Sequence, residues 1–334
     1  MNRLRRSTLV AVLLAAVALA ASACGSSSGG SKAAASSTAP AAVSVRLKWL
    51  HQSQFAGFYA AAAQGDYDAA GLKVKLDPGG PDSPSVQLVA SGSDTFGVAG
   101  ADQILLAREK GVDVVAVATI YRQTPFVLMT LADSGITTMK QLAGKKVGVK
   151  FGQSEEVTYR AMLSAAGMEK PDEVPVKFDL GPFLSGSVDA FPGYSINEAL
   201  AASEAAKPVN VIGPASVGLS LYADTIFTTG SEIRKHPEQV KAFVQATMKG
   251  WQWAVDHPDA AAALAPKYDS SLKLPHEQAE MKASIPSITP DNHPIGFMDT
   301  AGWSSLQDIL ITQGQMKKRQ DLSAVFTTKF LAAT

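Results

Sequence analysis

The residues of this chain suited to holding a small molecule fall in four clusters. Trp49, His51, Gln52, Gln54, Phe55, Phe58 and Tyr59 form the first, and Gly100, Asp102 and Gln103 the second. Phe151, Gly152, Gln153, Ser154, Glu155 and Glu156 form the third, and Gly193, Tyr194, Asn197 and Glu198 the fourth. Aromatic rings offer faces for stacking, while amides and carboxylates offer donors and acceptors for the edge of a polar ring. No bond-making set accompanies them. The five histidines are scattered, and His236, His257 and His293 each precede a proline, as in turns and helix starts. The sequence contains no HExxH, no nucleophile elbow and no phosphate loop ending in Lys-Ser/Thr. Gly97-Val98-Ala99-Gly100 lacks the remaining dinucleotide spacing. The chemistry indicated is binding, with no catalytic residues and no cofactor.

Each candidate also has a plain structural reading. Ser154 suits a helix N-cap, and Glu155 and Glu156 suit the first turn of a helix with no ligand present. Asp102 could cap its own helix. Phe55 and Phe58 share one helical face and could both be core, and His51 reads as a structural hydrogen-bonding residue. Trp49 is the hardest to explain as packing alone, being a large ring at a strand end beside polar neighbours.

The elements that must position these clusters alternate. Strands are expected at 43–49, 72–76, 95–99, 112–119 and 126–131, with helices at 54–64, 83–90 and 101–110 between them. The pattern restarts with a short helix at 138–142, a strand at 146–150, a helix at 155–166 and strands at 174–179, 188–191, 209–213 and 221–228, with a helix at 196–206. Everything after 228 reads as helix. Such alternation predicts mostly parallel sheets flanked by helices, in which ligands bind beyond the carboxyl ends of the strands. All four clusters lie there. An internal echo, Ser91-Gly92-Ser93-Asp94-Thr95-Phe96 against Ser185-Gly186-Ser187-Val188-Asp189-Ala190-Phe191, suggests two similar halves. In the C-terminal third, His236-Pro237-Glu238 is a helix start, and Val240, Phe243, Val244, Met248, Trp251 and Val255 form an apolar stripe. Trp251 therefore reads as core, and Trp253 lies off the stripe.

Composition narrows the class. The 334 residues carry 30 Lys+Arg against 30 Asp+Glu, and 46% are hydrophobic. That suffices for a sizeable core and gives no electrostatic footprint for nucleic acid. One cysteine excludes a disulfide framework. Arg3, Arg5 and Arg6, the apolar run 8–21 and Ala21-Ser22-Ala23 read as a signal peptide over 1–23, implying export. Cys24 follows small residues as in a bacterial lipobox, although Ala21 stands where Leu is usual. It is the expected lipidation site, with 24–42 as a Ser/Gly/Ala tether. Ordinary cleavage after Ala23 is the alternative.

Lys48-Trp49, Gln54-Phe55-Ala56-Gly57-Phe58-Tyr59, Gly65-Asp66-Tyr67, Ala70-Gly71-Leu72, Arg122-Gln123-Thr124-Pro125, Leu142-Ala143-Gly144-Lys145-Lys146-Val147-Gly148 and Val188-Asp189-Ala190 together resemble SsuA/THI5-like (NMT1/THI5) proteins. The resemblance runs from about Val43 to Leu331. It implies a two-lobed periplasmic-binding-protein-like α/β fold (type 2) with a ligand cleft between the lobes. Lobe 1 would comprise 43–125 and 222–334, and lobe 2 126–221, with crossovers near 121–131 and 217–228. It further implies a lipid-anchored, monomeric receptor on the extracytoplasmic face of the cell membrane, delivering a small molecule to an ABC permease.

Thiamine-precursor pyrimidines are the ligands implied first, with riboflavin, sulfonates and nitrate as alternatives. Oxyanions call for Arg, Lys or clustered N–H groups, whereas these loops hold acids and amides; Lys48 and Lys150 are the only nearby cations. By resemblance, Trp49 matches a ring-stacking aromatic and Phe151-Gly152-Gln153-Ser154 a ligand-contacting loop. The expected ligand-binding set is Trp49, Gln54, Phe55, Asp102, Gln103, Tyr121, Gln123, Gln153, Ser154, Glu155, Tyr194, Asn197, Glu198 and Tyr222. Fungal members are pyrimidine synthases with a Lys and a His just after the third strand. Ala99 and Gln103 stand at those positions, which removes the amine that chemistry requires.

Overall fold

The computed structural model describes residues 39–332. The signal-peptide reading, Cys24 and the tether up to residue 38 lie outside the described residues. Ten strands are present among them: β1 (Ala41–Arg46), β2 (Leu72–Asp77), β3 (Phe96–Gly100), β4 (Val114–Thr119), β5 (Phe126–Leu131), β6 (Lys146–Val149), β7 (Asp172–Pro175), β8 (Ala190–Tyr194), β9 (Val209–Ile212) and β10 (Asp224–Thr229). They form two five-stranded sheets, ordered β2-β1-β3-β10-β4 and β7-β6-β8-β5-β9. In each sheet four strands run one way, and the strand entered directly from the other sheet, β10 or β5, runs against them. The two lobes thus share one topology.

The internal echo falls at matching places in that topology, before β3 and before β8. Gly92 and Gly186 end their helices at φ 78° and 76°, where glycine carries no Cβ penalty. Ser91 and Ser93 bond through their hydroxyls at 2.9 Å, as Ser185 and Ser187 do at 3.0 Å. Asp94 and Asp189 then tie the approach to β3 to β1 and the approach to β8 to β6, through the Arg46 side chain and the Lys146 backbone N–H.

Several boundaries differ from expectation. β1 starts at Ala41 because Ala41 and Ala42 pair with Leu72 and Lys73. The strand expected at 174–179 is the shorter edge strand Asp172–Pro175, which frees Phe178 from the ladder. β8 continues past Pro192 to Tyr194, since its pairing with β6 is confined to Val147–Ala190 and the proline lies beyond it. The C-terminal third is helical except where Gly296 and Phe326 bridge to Thr119 and Ala116, covering the edge strand β4.

The largest core lies between the first sheet and the helices Ala56–Ala63, Pro237–Asp256 and Leu274–Ile288. Val240, Phe243, Val244 and Trp251 are buried there as the periodicity predicts, and half-buried Trp253 stacks on His257. Two of these helices cross at Gly57 and Gly250. A Cβ on Gly250 would strike the Gly57 carbonyl oxygen, and one on Gly57 would strike the Trp251 ring. This close crossing fixes the short helix that follows the Trp49–Gln54 loop. Phe55 and Phe58 are buried in the same core.

Candidate ligand-binding cleft

The carboxyl ends of β1, β3, β6 and β8 converge where the chain passes between sheets, at residues 120–125 and 213–223. A cavity of about 570 Å³ opens between them. Among the sequence candidates, Trp49, Gln54, Gln103, Gln153, Ser154, Glu155, Tyr194, Asn197 and Glu198 line it. The cavity also takes in Lys48, Gln52 and Phe178, and it continues over Val86, Leu106 and Val112 on the first lobe.

Two rings, one from each lobe, meet at this cavity. Trp49 and Phe178 have centroids 4.4 Å apart with planes tilted by 50°. Both are half-buried. The Lys150 ammonium lies 4.7 Å from the centre of the Phe178 ring.

A hydrogen-bonded circuit closes the lobes beside the rings. Lys48 Nζ donates to Tyr194 Oη at 2.5 Å and to Asp224 Oδ1 at 3.1 Å. Gln54 donates to the other Asp224 oxygen at 2.5 Å, Gln52 donates to Gln54 at 2.6 Å, and Asn197 donates to Gln52 at 3.1 Å. Asn197 N–H bonds the Tyr194 carbonyl, completing the loop. Tyr194 and Asn197 belong to the second sheet's end, and the other four belong to the first. Burial works against the Lys48 charge, but Asp224, Tyr194 and Glu155 outweigh it and hold the ammonium well above its ordinary range. Burial likewise pushes the Tyr194 phenol up, so it stays protonated.

The second-lobe wall carries net negative charge. Lys150 is buried and meets Glu198 at 3.2 Å and Glu155 at 3.5 Å, one cation against two carboxylates. Glu198 also accepts the Tyr194 backbone N–H at 2.8 Å, which occupies both of its oxygens. Among the described residues Glu155 pairs with Lys150 alone, so it keeps acceptor capacity toward the cavity it lines. A wall of this kind suits ring N–H and amino donors and opposes an anion.

Other candidates lie elsewhere. Phe55 is core. Tyr121 is buried behind the cleft, its hydroxyl bonded to the Gln54 carbonyl and to Ser284. Gln123 is exposed on the crossover, with its backbone N–H held by Ser287. Tyr222 bonds Asp299 and lines a small separate pocket rather than the cleft. Asp102 faces the same small pocket. Ser154 does not cap its helix; its hydroxyl reaches across the lobes to Asp102 Oδ1 at 3.0 Å. Glu156 closes a local turn onto Gly152 N–H, as its capping reading anticipates. His51 bonds Tyr59 at 3.0 Å, a structural role.

The expected ligand-binding set left out Lys48, Lys150 and Gln52, although the sequence marked them as members or neighbours of the clusters, and it missed Phe178 and Asp224 altogether. Phe178 was hidden by the misplaced strand end. Lys48 and Lys150 carried a usable signal: each stands within two residues of a strand's carboxyl end and just ahead of a polar cluster.

Behind the loop, Glu277 accepts Ser53 N–H at 2.6 Å. Its neighbour Glu280 is fully buried with neither carboxyl oxygen partnered among the described residues. Burial and then the nearby Glu277 charge push the Glu280 carboxyl well above its usual range.

The profile of NMT1/THI5-like proteins matches residues 52–261. Among curated relatives, the riboflavin-binding protein RibY of Chloroflexus aurantiacus is 27% identical over 304 residues, spanning 86% of this chain and 86% of that protein. The formylaminopyrimidine-binding protein of Halalkalibacterium halodurans is 28% identical over 274 residues, spanning 79% and 83%. Among solved structures, the periplasmic aliphatic sulphonate binding protein SsuA of Escherichia coli superposes with a TM-score of 0.68 over 88% of this chain and 95% of that one. Its identity is 17%, a likeness of fold.

Proposed function

The chain belongs to the NMT1/THI5-like family, and on that premise we propose that it is an extracytoplasmic solute-binding protein of an ABC importer. It takes a small planar nitrogen heterocycle, a thiamine-precursor pyrimidine, into the interlobe cleft and presents it to the permease. The observation that carries this reading is the Trp49–Phe178 pair, one ring from each lobe, standing beside the acceptor-rich wall of Glu155 and Glu198. Two aromatic faces grip a planar ring, and Glu155 accepts from its amino edge. Ligand bridging both lobes stabilises the closed form to the extent that it prefers that state. The permease reads that difference.

The relatives named for binding a pyrimidine and a flavin support this class of ligand. The net negative wall argues against sulfonate or nitrate. A synthase reading finds no support in the cleft amines: Lys48 is held protonated by Asp224, and Lys150 is ion-paired, whereas Schiff-base chemistry needs a neutral amine. A flavin has one specific observation in its favour. The cavity extends past the rings over Val86, Leu106 and Val112, more apolar length than a single six-membered ring fills. The test is ligand-induced melting shift and Trp fluorescence with hydroxymethylpyrimidine, formylaminopyrimidine, riboflavin, taurine and nitrate. A response to a pyrimidine supports the first reading, and one to riboflavin alone the second. A response confined to taurine or nitrate overturns both. Export as a monomer, with anchoring through Cys24, belongs to the same proposal. Cys24→Ser should release the protein from the membrane fraction.

A further inference from the structure

At the back of the cleft, where the two crossovers meet, lies a second pocket of about 20 Å³. Its polar lining comprises Asp102, Thr124, Thr158 and Tyr222, together with Lys48, Ser154, Glu155 and Tyr194, which it shares with the cleft. The space is too small for a ring and close to what one water molecule needs, and its polar lining favours water over a dry void. Asp102 supplies the reason to fill it. Ser154 occupies Oδ1 from across the lobes, while Oδ2 is buried and has no partner among the described residues. Burial raises the Asp102 carboxyl above its ordinary range, and either protonation state needs a partner there. Ionised, Oδ2 must accept a hydrogen bond; protonated, its O–H must donate one. Lys48 uses two of its three N–H donors, on Tyr194 and Asp224. Lys48 and Asp102 line the same small space.

We infer that this pocket is a binding site for a single internal water, bonded to Asp102 Oδ2 and to Lys48 or a lining hydroxyl. Asp102 belongs to the first lobe and Ser154 to the second, so the site is complete only when the lobes are closed. The water is therefore part of the seam, and its place does not depend on which ligand fills the cleft. Gly100 maintains the seam from behind, since a Cβ there would strike both Asp102 Oδ1 and Ser154 Oγ.

A high-resolution crystal structure of the full protein, closed on its ligand, is the direct test. Expected is one ordered water within hydrogen-bond distance of Asp102 Oδ2 and of a second lining group. A dry pocket, or a ligand atom bonded to Oδ2, overturns the proposal. In solution, Asp102→Asn keeps a group that can bond water and should bind ligand within about twofold of the parent. Asp102→Leu removes the water's anchor together with the Ser154 bond and should lose roughly tenfold in affinity, more than Ser154→Ala, which deletes that bond alone and leaves Oδ2 in place. Equal affinity in the Leu variant would also overturn it.

Discussion

Trp49 and Phe178 meet across the interlobe cleft, each the aromatic ring its own lobe contributes, with centroids 4.4 Å apart and planes 50° from parallel. A planar ring held between two faces needs them about 7 Å apart, twice the ~3.5 Å contact distance. Ligand entry must therefore part the two rings by a few ångströms and bring their planes toward parallel. Lobe movement supplies that adjustment, because the rings belong to different lobes.

Replacing Phe178 with Ala should weaken heterocycle binding by about 1–3 kcal/mol, the scale of one stacking face, and Trp49→Ala should do the same. Isothermal titration checks both. Unchanged affinity in the Phe178 variant would show that the second lobe offers no stacking surface.

Tyr194→Phe deletes the lobe-spanning bond from Lys48 and leaves the Lys48–Asp224 pair intact. Affinity should fall by about 0.5–1.5 kcal/mol, while the melting temperature without ligand barely moves. An equal loss of unliganded stability would assign Tyr194 to the fold rather than to closure.

Glu280 sets a pH dependence. Its folded carboxyl is raised by burial, so its favourable contribution is complete below the unfolded carboxylate range, about pH 4, and is lost as pH rises toward the raised value. Glu280→Gln, which carries no charge at any pH, should therefore melt higher than the parent at about pH 8, with the gap closing toward pH 4. Thermal melts across that range read it. A gap that stays constant with pH would mean the carboxyl is already matched by an unseen partner.

Gly250→Ala separates propensity from packing. Alanine is the better helix former by about 1 kcal/mol. Here, however, its methyl would meet the Gly57 carbonyl and Ala61. Net destabilisation of about 1–3 kcal/mol is expected by denaturant titration. A neutral or stabilised variant would mean the helices separate easily at their crossing.

Much of this arrangement was legible in residue order. Alternating apolar runs marked most of the strands, and the two Ser-Gly-Ser echoes fell at equivalent places in the two sheets. The stripe from Val240 to Trp251 identified a buried helix face. What escaped depended on partners distant in sequence. Ser154 looked like a cap because its neighbours suit one, yet its hydroxyl spends its bond on Asp102, 52 positions away. Lys48 and Lys150 were read only as the cations nearest the loops, because residue order does not show where their side chains point. Here Asp224, Glu155 and Glu198 neutralise them inside the fold. Tyr121 and Gln123 sit on the crossover as expected, but backbone and helix contacts turn them away from the cleft. Phe178 was misplaced by one edge strand's end, the least constrained feature of a sheet.

The most direct measurement is a crystal structure of the protein with formylaminopyrimidine bound. The account requires the pyrimidine ring between Trp49 and Phe178, their faces moved apart to receive it, with an amino group on Glu155. A ring bound outside the cleft, with Trp49 and Phe178 still in contact, would contradict it.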